Sequence, residues 1–177
     1  MGALVAWFTG LSGAGKSTIA EKAASMLEAK GQSVLVLDGD VVRSTVTRHL
    51  GFSREDIYEN NRSFINLCRT HAADHDVILV PKISPFLEQR ASARRELEPG
   101  FVEVYVRASL EEVFRRDPKG LYRKSSEGSL QGMVGVAAEV PYEPPKAADL
   151  TLDTETDSVE ACTRLLVDYL CSRVGAA

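Results

Sequence analysis

Cysteine is scarce in this chain: Cys68, Cys162 and Cys171 are the three in 177 residues. So few, so scattered, exclude a disulfide framework, and the lack of any Cys-x-x-Cys pair speaks against redox chemistry. Basic charge is not in excess either. A net charge of −4 gives no whole-molecule field suited to a long nucleic acid, so no nucleic acid polymer is expected as a partner and phosphate recognition must be local. Long hydrophobic runs are missing. The first apolar run, Leu4-Val5-Ala6-Trp7-Phe8, falls far short of the roughly 20 residues of a membrane span and follows no basic segment. No membrane association is expected, and the chain reads as cytoplasmic. There is no internal repeat, and His71 and His75, four apart, lack a third partner for a metal.

What is present is the composition of an ordinary globular chain, 44% hydrophobic and 26% charged. The length fits a single domain, since domains run roughly 100–200 residues; 1–177 is expected to form one. Apolar, β-branched runs predict strands over 4–9, 33–38, 77–80, 101–107 and 149–152. Most are apolar almost throughout, as in a parallel sheet covered on both faces. Helical patterns over 16–30, 41–50, 54–73, 85–97, 110–116 and 158–172 lie between and after them. The expected fold is therefore α/β, a parallel five-stranded sheet with helices on both faces. The last helix carries an apolar stripe (Val159, Cys162, Leu165, Leu166, Tyr169 and Leu170) that fits packing against the domain, with a homodimer interface as its other use.

Residues 117–145 resist this pattern. They hold Gly120, Gly128, Gly132 and Gly135 with Pro118, Pro141, Pro144 and Pro145, and a stretch so long without periodicity is commonly functional or disordered. Arg115, Arg116, Lys119, Arg123 and Lys124 at its start predict a mobile, phosphate-covering lid over about 115–145.

The strongest chemical signal is Gly10-Leu-Ser-Gly-Ala-Gly-Lys16-Ser17, the G-x-x-x-x-G-K-[ST] phosphate loop (Walker A) between a strand and a helix. Gly10, Ser12, Gly13, Ala14, Gly15 and Thr18 would cradle ATP phosphates with backbone N–H groups at a helix N-terminus. Lys16 would reach the β- and γ-phosphates, and the Ser17 hydroxyl would ligate Mg²⁺. The same glycines do not make a dinucleotide fingerprint, because Thr18 stands where G-x-G-x-x-G needs its third glycine. A GTPase would need [NT]-K-x-D, which is absent; Asp117-Pro-Lys-Gly120 matches D-x-x-G only after a helix pattern. A small kinase remains. Past the second strand come Asp38 and Asp40, where ligands of open parallel sheets sit. Asp40 suits a catalytic base and Asp38 a metal-side or acceptor-side partner; both could also cap the next helix.

Around these residues lie Leu37-Asp-Gly-Asp40, Arg43, Gly51-Phe-Ser-Arg-Glu-Asp56, Glu59-Asn60 with Arg62, Ile83-Ser-Pro85, Asp117-Pro-Lys-Gly-Leu-Tyr122 and Tyr142-Glu-Pro144. In these motifs, in this order, the chain resembles the adenylylsulfate kinases, P-loop enzymes that use MgATP to phosphorylate the 3′-hydroxyl of adenosine 5′-phosphosulfate (APS). The resemblance spans nearly the whole chain. It implies that Arg43 and Asn60 hold the acceptor nucleotide, that Phe52 stacks on its base, and that Ile83 and Ser84 form a turn beside it. It also implies that Arg116, Lys119 and Arg123 belong to the lid over the ATP phosphates, with Lys119 near the acceptor as well. The chemistry agrees, an aromatic face for a base and guanidinium forks for phosphate oxygens.

Three positions depart from the family pattern: Ile57 replaces an arginine, Gly132-Met133-Val-Gly135 replaces a segment carrying a second stacking phenylalanine, and Lys82 replaces an uncharged residue. Losing a charge-assisted contact costs about 1.5–3 kcal/mol and a stacking ring about 1–3 kcal/mol. The expectation is thus an intact ATP site beside an altered acceptor site around Met133. APS is the expected acceptor, another nucleotide such as a cytidine diphosphate derivative the alternative, and a non-catalytic nucleotide-binding relative a second.

Overall fold

The computed structural model describes residues 2–127 and 133–174. Its element order is β1 (Leu4–Thr9), α1 (Lys16–Glu28), β2 (Val34–Val36), α2 (Gly39–Thr45), α3 (Arg54–His71), β3 (Val77–Val80), α4 (Leu87–Leu97), β4 (Phe101–Arg107), α5 (Leu110–Arg116), α6 (Leu121–Ser126), β5 (Leu150–Asp153) and α7 (Val159–Cys171). The strands form one parallel sheet in the order β2-β3-β1-β4-β5. Placing β3 between β1 and β2 makes the C-terminal end of β1 a switch point, where a crevice opens beyond the strand ends.

Period-two side-chain alternation builds the two cores. Along β1, Leu4, Ala6 and Phe8 enter a core with Ile19, Ala20, Ala23 and Leu27 of α1 and Cys162, Leu166 and Leu170 of α7. Val5 and Trp7 point the other way, to Phe64, Ile65 and Cys68 of α3 and Ala93 of α4. The sheet is therefore covered on both faces, as its apolar runs predict. The C-terminal stripe is largely spent inside the molecule; of it, only Leu165 is strongly exposed among the described residues.

The boundaries differ from the sequence patterns where local chemistry intervenes. The second helix runs 39–45 rather than 41–50, because the Asp38 carboxylate accepts from the backbone N–H groups of Asp40 and Val41 and starts it early. Ser53, Ser109 and Ser158 cap α3, α5 and α7 in the same way. The stretch 117–145 contains the unpredicted helix α6, which opens at Gly120 in the left-handed region.

One buried ion pair ties the sheet to the loops above it. Arg90 of α4 donates through Nε to Glu103 of β4 at 2.6 Å, through Nη1 to the Ser84 carbonyl and through Nη2 to the Glu143 carbonyl, both at 2.6 Å. Replacing Arg90 leaves the Glu103 carboxylate only Arg94, at 3.9 Å, among the described residues, and frees both carbonyls. Arg90→Ala is expected to lower unfolding stability by about 3–5 kcal/mol, measurable as a shift of the urea midpoint.

Candidate functional site

Beyond the C-terminal end of β1, the chain turns through 10–15 into α1. At Gly10, φ is +147° and a Cβ would lie 2.4 Å from the Val106 carbonyl oxygen. At Gly15, the residue before α1, φ is +99°. Glycine alone suits both positions. Two contacts hold the loop from outside, the Tyr122 hydroxyl donating to the Ser12 carbonyl at 2.8 Å and the Thr154 hydroxyl donating to the Ala14 carbonyl at 2.9 Å, and one closes it from within, Ala14 N–H donating to the Leu11 carbonyl at 3.2 Å.

Lys16 is buried in this loop and donates to the carbonyls of Gly10 at 3.0 Å and Leu11 at 2.7 Å. Burial, then repulsion from Lys119, pulls its ammonium down to about 7, against the opposing pull of Asp40 and Asp38. The Ser17 hydroxyl donates to Asp38 Oδ2 at 2.8 Å, while Asp38 Oδ1 caps α2. Asp38 thus caps α2, one of the roles open to it from the sequence, while its other oxygen meets Ser17. Asp40 is different: its side chain is 74% exposed and ion-paired with Lys119.

These residues line one cavity of about 540 Å³ together with the acceptor candidates. Arg43 is half-buried, donates to the carbonyls of Leu50 and Gly51, and lies over the Phe52 ring with its guanidinium carbon 4.4 Å from the centroid. Burial lowers its pKa, with Asp56 and Asp40 opposing. Phe52 is exposed rather than a core aromatic. Asn60 is buried, its Nδ2 donating to Thr47 Oγ1 at 2.8 Å. Ile83 and Ser84 line the wall. Ser84 sits at φ +45° and its hydroxyl accepts from Trp7 Nε1 at 2.8 Å, so its side chain serves the core while its turn shapes the cavity.

The departures from the family pattern meet here too. Ile57 packs with Phe86, Val134 and Val140 in an apolar cluster beside the cavity. Met133 is buried against the main core and also faces the cavity; its predecessor Gly132 lies outside the described residues, as do Gly128 and the rest of 128–132. Lys82 is buried, 9% exposed, on the same wall.

Not every predicted residue reaches the cavity. Gly10 and Ala14 shape the loop from behind. Arg116 does not line the cavity: it pairs with Glu112 and donates to the hydroxyl and carbonyl of Thr154. Arg123, near Gly120 on α6, does not line it either. Lys119, Pro118 and Leu121 do. Of the two residues that brace the phosphate loop, Tyr122 is marked in the sequence only as the end of a motif, and Thr154 is not singled out. Nothing around Thr154 signals a role; only the end of β5 arriving beside the loop supplies one. His71 and His75 stay 6.2 Å apart between ring centroids, and the described residues hold no cluster of three or more His, Cys, Asp or Glu that could bind a metal.

A parallel sheet in 2-3-1-4-5 order, a phosphate loop with buried Lys16, an acidic pair after β2 and a second subsite in the same cavity define a P-loop kinase. The chain belongs to the adenylylsulphate kinase family, whose model matches residues 2–153. It is 43% identical over 164 residues to the adenylyl-sulfate kinase of Halothermothrix orenii, covering 93% of this chain and 87% of that protein. It is 39% identical over 171 residues to that of Clostridium kluyveri, covering 97% and 85%. The Mycobacterium tuberculosis APS kinase CysC, solved with AMPPNP and APS, superposes with a TM-score of 0.90 at 38% identity, covering 96% of this chain and 98% of that one. ATP-dependent phosphorylation of a hydroxyl follows as the reaction class. Neither alternative, a different nucleotide acceptor or a non-catalytic relative, is favoured by these relatives.

Lys82 also sets a pH dependence. Burial first, then Arg43, brings its ammonium down to about 7, with Cys68 opposing. A folded-state pKa below the unfolded value of about 10.4 means that the unfolded chain binds the extra proton between those values. Stability then rises with pH across that window, and Lys16 contributes in the same direction. Cys68, pushed up to about 12 by burial, acts oppositely only above the ordinary thiol range. The urea midpoint of the ligand-free protein is expected to rise between pH 7 and 8.5. Lys82→Met should be more stable than the wild type at pH 7 and show a shallower rise, by on the order of 1 kcal/mol per pH unit.

Proposed function

We propose that this chain, as a single kinase domain over 1–177, transfers the γ-phosphoryl group of MgATP to the 3′-hydroxyl of APS, giving 3′-phosphoadenosine 5′-phosphosulfate and ADP. One observation carries the reading: Lys16, Ser17 and Asp38 open into the same 540 Å³ cavity as Arg43, Phe52 and Asn60. Donor and acceptor subsites are thereby joined, as in-line transfer requires. The relative solved with AMPPNP and APS together supports the same pairing of ligands.

In this reading the acceptor 3′-oxygen attacks the γ-phosphorus, the bond to the β-phosphate oxygen breaks, ADP leaves, and the hydroxyl proton passes to the Asp40 carboxylate. Asp40 must first part from Lys119, and Lys119 is then free to turn toward phosphate oxygens. Lys16 neutralises charge on the β- and γ-phosphates, exchanging its two carbonyl partners for them. The Ser17 hydroxyl and Asp38 carboxylate, 2.8 Å apart, are oxygen donors that would hold a Mg²⁺ ion, which would supply further charge neutralisation. Phe52 stacks on the adenine and Arg43 and Asn60 hold the nucleotide. The described parts of the expected lid, 115–127 and 133–145, would exclude water; Arg116 and Arg123 reach the ATP phosphates only if that lid rearranges.

ADP release with MgATP against APS, cytidine diphosphate derivatives, common nucleotides and no acceptor tests this. Turnover with APS far above the rest is the expected result; faster turnover of another nucleotide would sink it. Lys16→Ala is expected to abolish transfer nearly completely. Asp40→Asn should lower kcat by about 100-fold or more with little change in acceptor KM; an effect confined to KM would make Asp40 a binding residue instead.

A further inference from the structure

Lys82 is the one buried cation of the acceptor wall without an acidic partner among the described residues. Its Nζ donates to Asn60 Oδ1 at 3.2 Å and Asn61 Oδ1 at 3.3 Å, and it lies 4.2 Å from the centroid of Phe64 and 5.2 Å from that of Trp7. Two neutral amides and two ring faces are weak compensation for a desolvated charge. Arg43, the neighbouring cation, makes matters worse by repulsion. An ammonium has three N–H groups, and the two amide oxygens occupy two.

The surroundings say which way the charge is useful. Arg43 already spends Nη1 on the carbonyls of Leu50 and Gly51 and its face on Phe52. Lys16 and Lys119 sit on the phosphate-loop side, with Asp38 and Asp40 around them. Among the described residues, no carboxylate pairs with Lys82. The acceptor half of the cavity therefore presents a positive, dehydrated wall formed by Lys82 and Arg43, with the Asn60 amide between Lys82 and Thr47. Such a wall is stabilised by an anion entering the cavity and by little else, since a neutral ligand would leave the ammonium uncompensated.

We propose that Lys82 receives the anionic 5′ substituent of the nucleotide acceptor, contributing charge and not merely support for Asn60 and Asn61. The inference rests on the APS reading for the identity of that substituent, but any nucleoside 5′-phosphate carries the chemistry it needs. Without the ammonium, Arg43 would be the remaining cation on the acceptor side of the cavity, with Lys16 and Lys119 on the phosphate-loop side.

The test compares wild type with Lys82→Met, which removes charge and donors, and Lys82→Gln, which keeps amide donors for Asn60 and Asn61 but not the charge. Calorimetric titration of the ADP-loaded protein with APS, AMP and adenosine reads the anion directly. Acceptor kinetics at saturating MgATP read KM and kcat separately. Both variants are expected to weaken APS and AMP binding and raise the APS KM by about 10- to 100-fold, with a smaller fall in kcat. Adenosine, which lacks the anion, should bind all three proteins within about twofold. Restoration by glutamine, or equal weakening of adenosine, would reduce Lys82 to a prop for the asparagines and overturn the proposal. A wild type that binds AMP in a Lys82-dependent way yet does not turn over APS would overturn the APS reading and support this one. A wild type that binds neither anion would overturn both. The urea midpoints of the two variants show that each folds, since removal of the buried charge stabilises the free protein.

Discussion

Burial of β1 on both faces is the constraint from which the rest of the molecule follows. Every residue of Leu4–Thr9 is buried, and the strand pairs with β3 on one side and β4 on the other. A parallel strand in that position cannot return directly; it must cross over through a helix. The turn that begins this crossover is the phosphate loop. Its N–H groups converge because β1 delivers the chain at the sheet edge of the crevice and α1 carries it away at once. The last residue of β1 also anchors the opposite wall: Thr9 Oγ1 donates to the carbonyls of Ile83 and Ser84 and bonds the Tyr142 hydroxyl.

Around that centre, several polar contacts hold elements that are far apart in sequence. Arg90 joins α4, β4, the turn at Ser84 and the segment at Glu143. Thr154 and Arg116 connect the end of β5 to the phosphate loop and to α5. Arg90, Glu103, Arg116 and Thr154 surround the cavity rather than line it. The site is therefore shaped by residues whose own chemistry is structural, and small displacements in any of them would reach the phosphate loop or the acceptor wall. Ser84 illustrates the cost: its φ of +45° is unfavourable for a side-chain-bearing residue, and it persists because Trp7, Thr9 and Arg90 each bond to it.

The three positions read from the sequence as departures from the family pattern, Ile57, Lys82 and Met133, are all buried along the cavity wall. Ile57 packs into an apolar cluster with Val134 and Val140, so the chain at 133–140 docks on α3 through hydrophobic contact. Met133, a flexible side chain suited to irregular gaps, is buried between the core and the cavity. Positive charge is present on the wall from Lys82, approaching from the β3 side and stacked above Phe64 and Trp7. Packing and charge have thus been distributed over different elements of the same surface.

The sheet, its five strands and the phosphate loop were legible in the residues because each rests on local information: continuous apolar runs for buried strands, glycine spacing for a loop that tolerates no Cβ, and the order of alternating elements. Asp38, expected past the second strand, and Arg43, Phe52 and Asn60, implied by the family resemblance, line the same cavity as the phosphate loop. Helix α6 was hidden by the glycines and prolines around it, although Leu121–Ser126 needs only Gly120 to start. The pairing of Lys119 with Asp40, the bracing of the loop by Thr154 and Tyr122, and the engagement of Arg116 by Thr154 came from tertiary structure alone. Each brings together groups between 38 and 140 positions apart, and a basic residue in sequence does not reveal whether it will face a ligand or a neighbouring carboxylate. Burial decides the same question for Lys82: the sequence marks a lysine, while the aromatic rings and amides packed around it make that lysine a dehydrated charge facing a cavity.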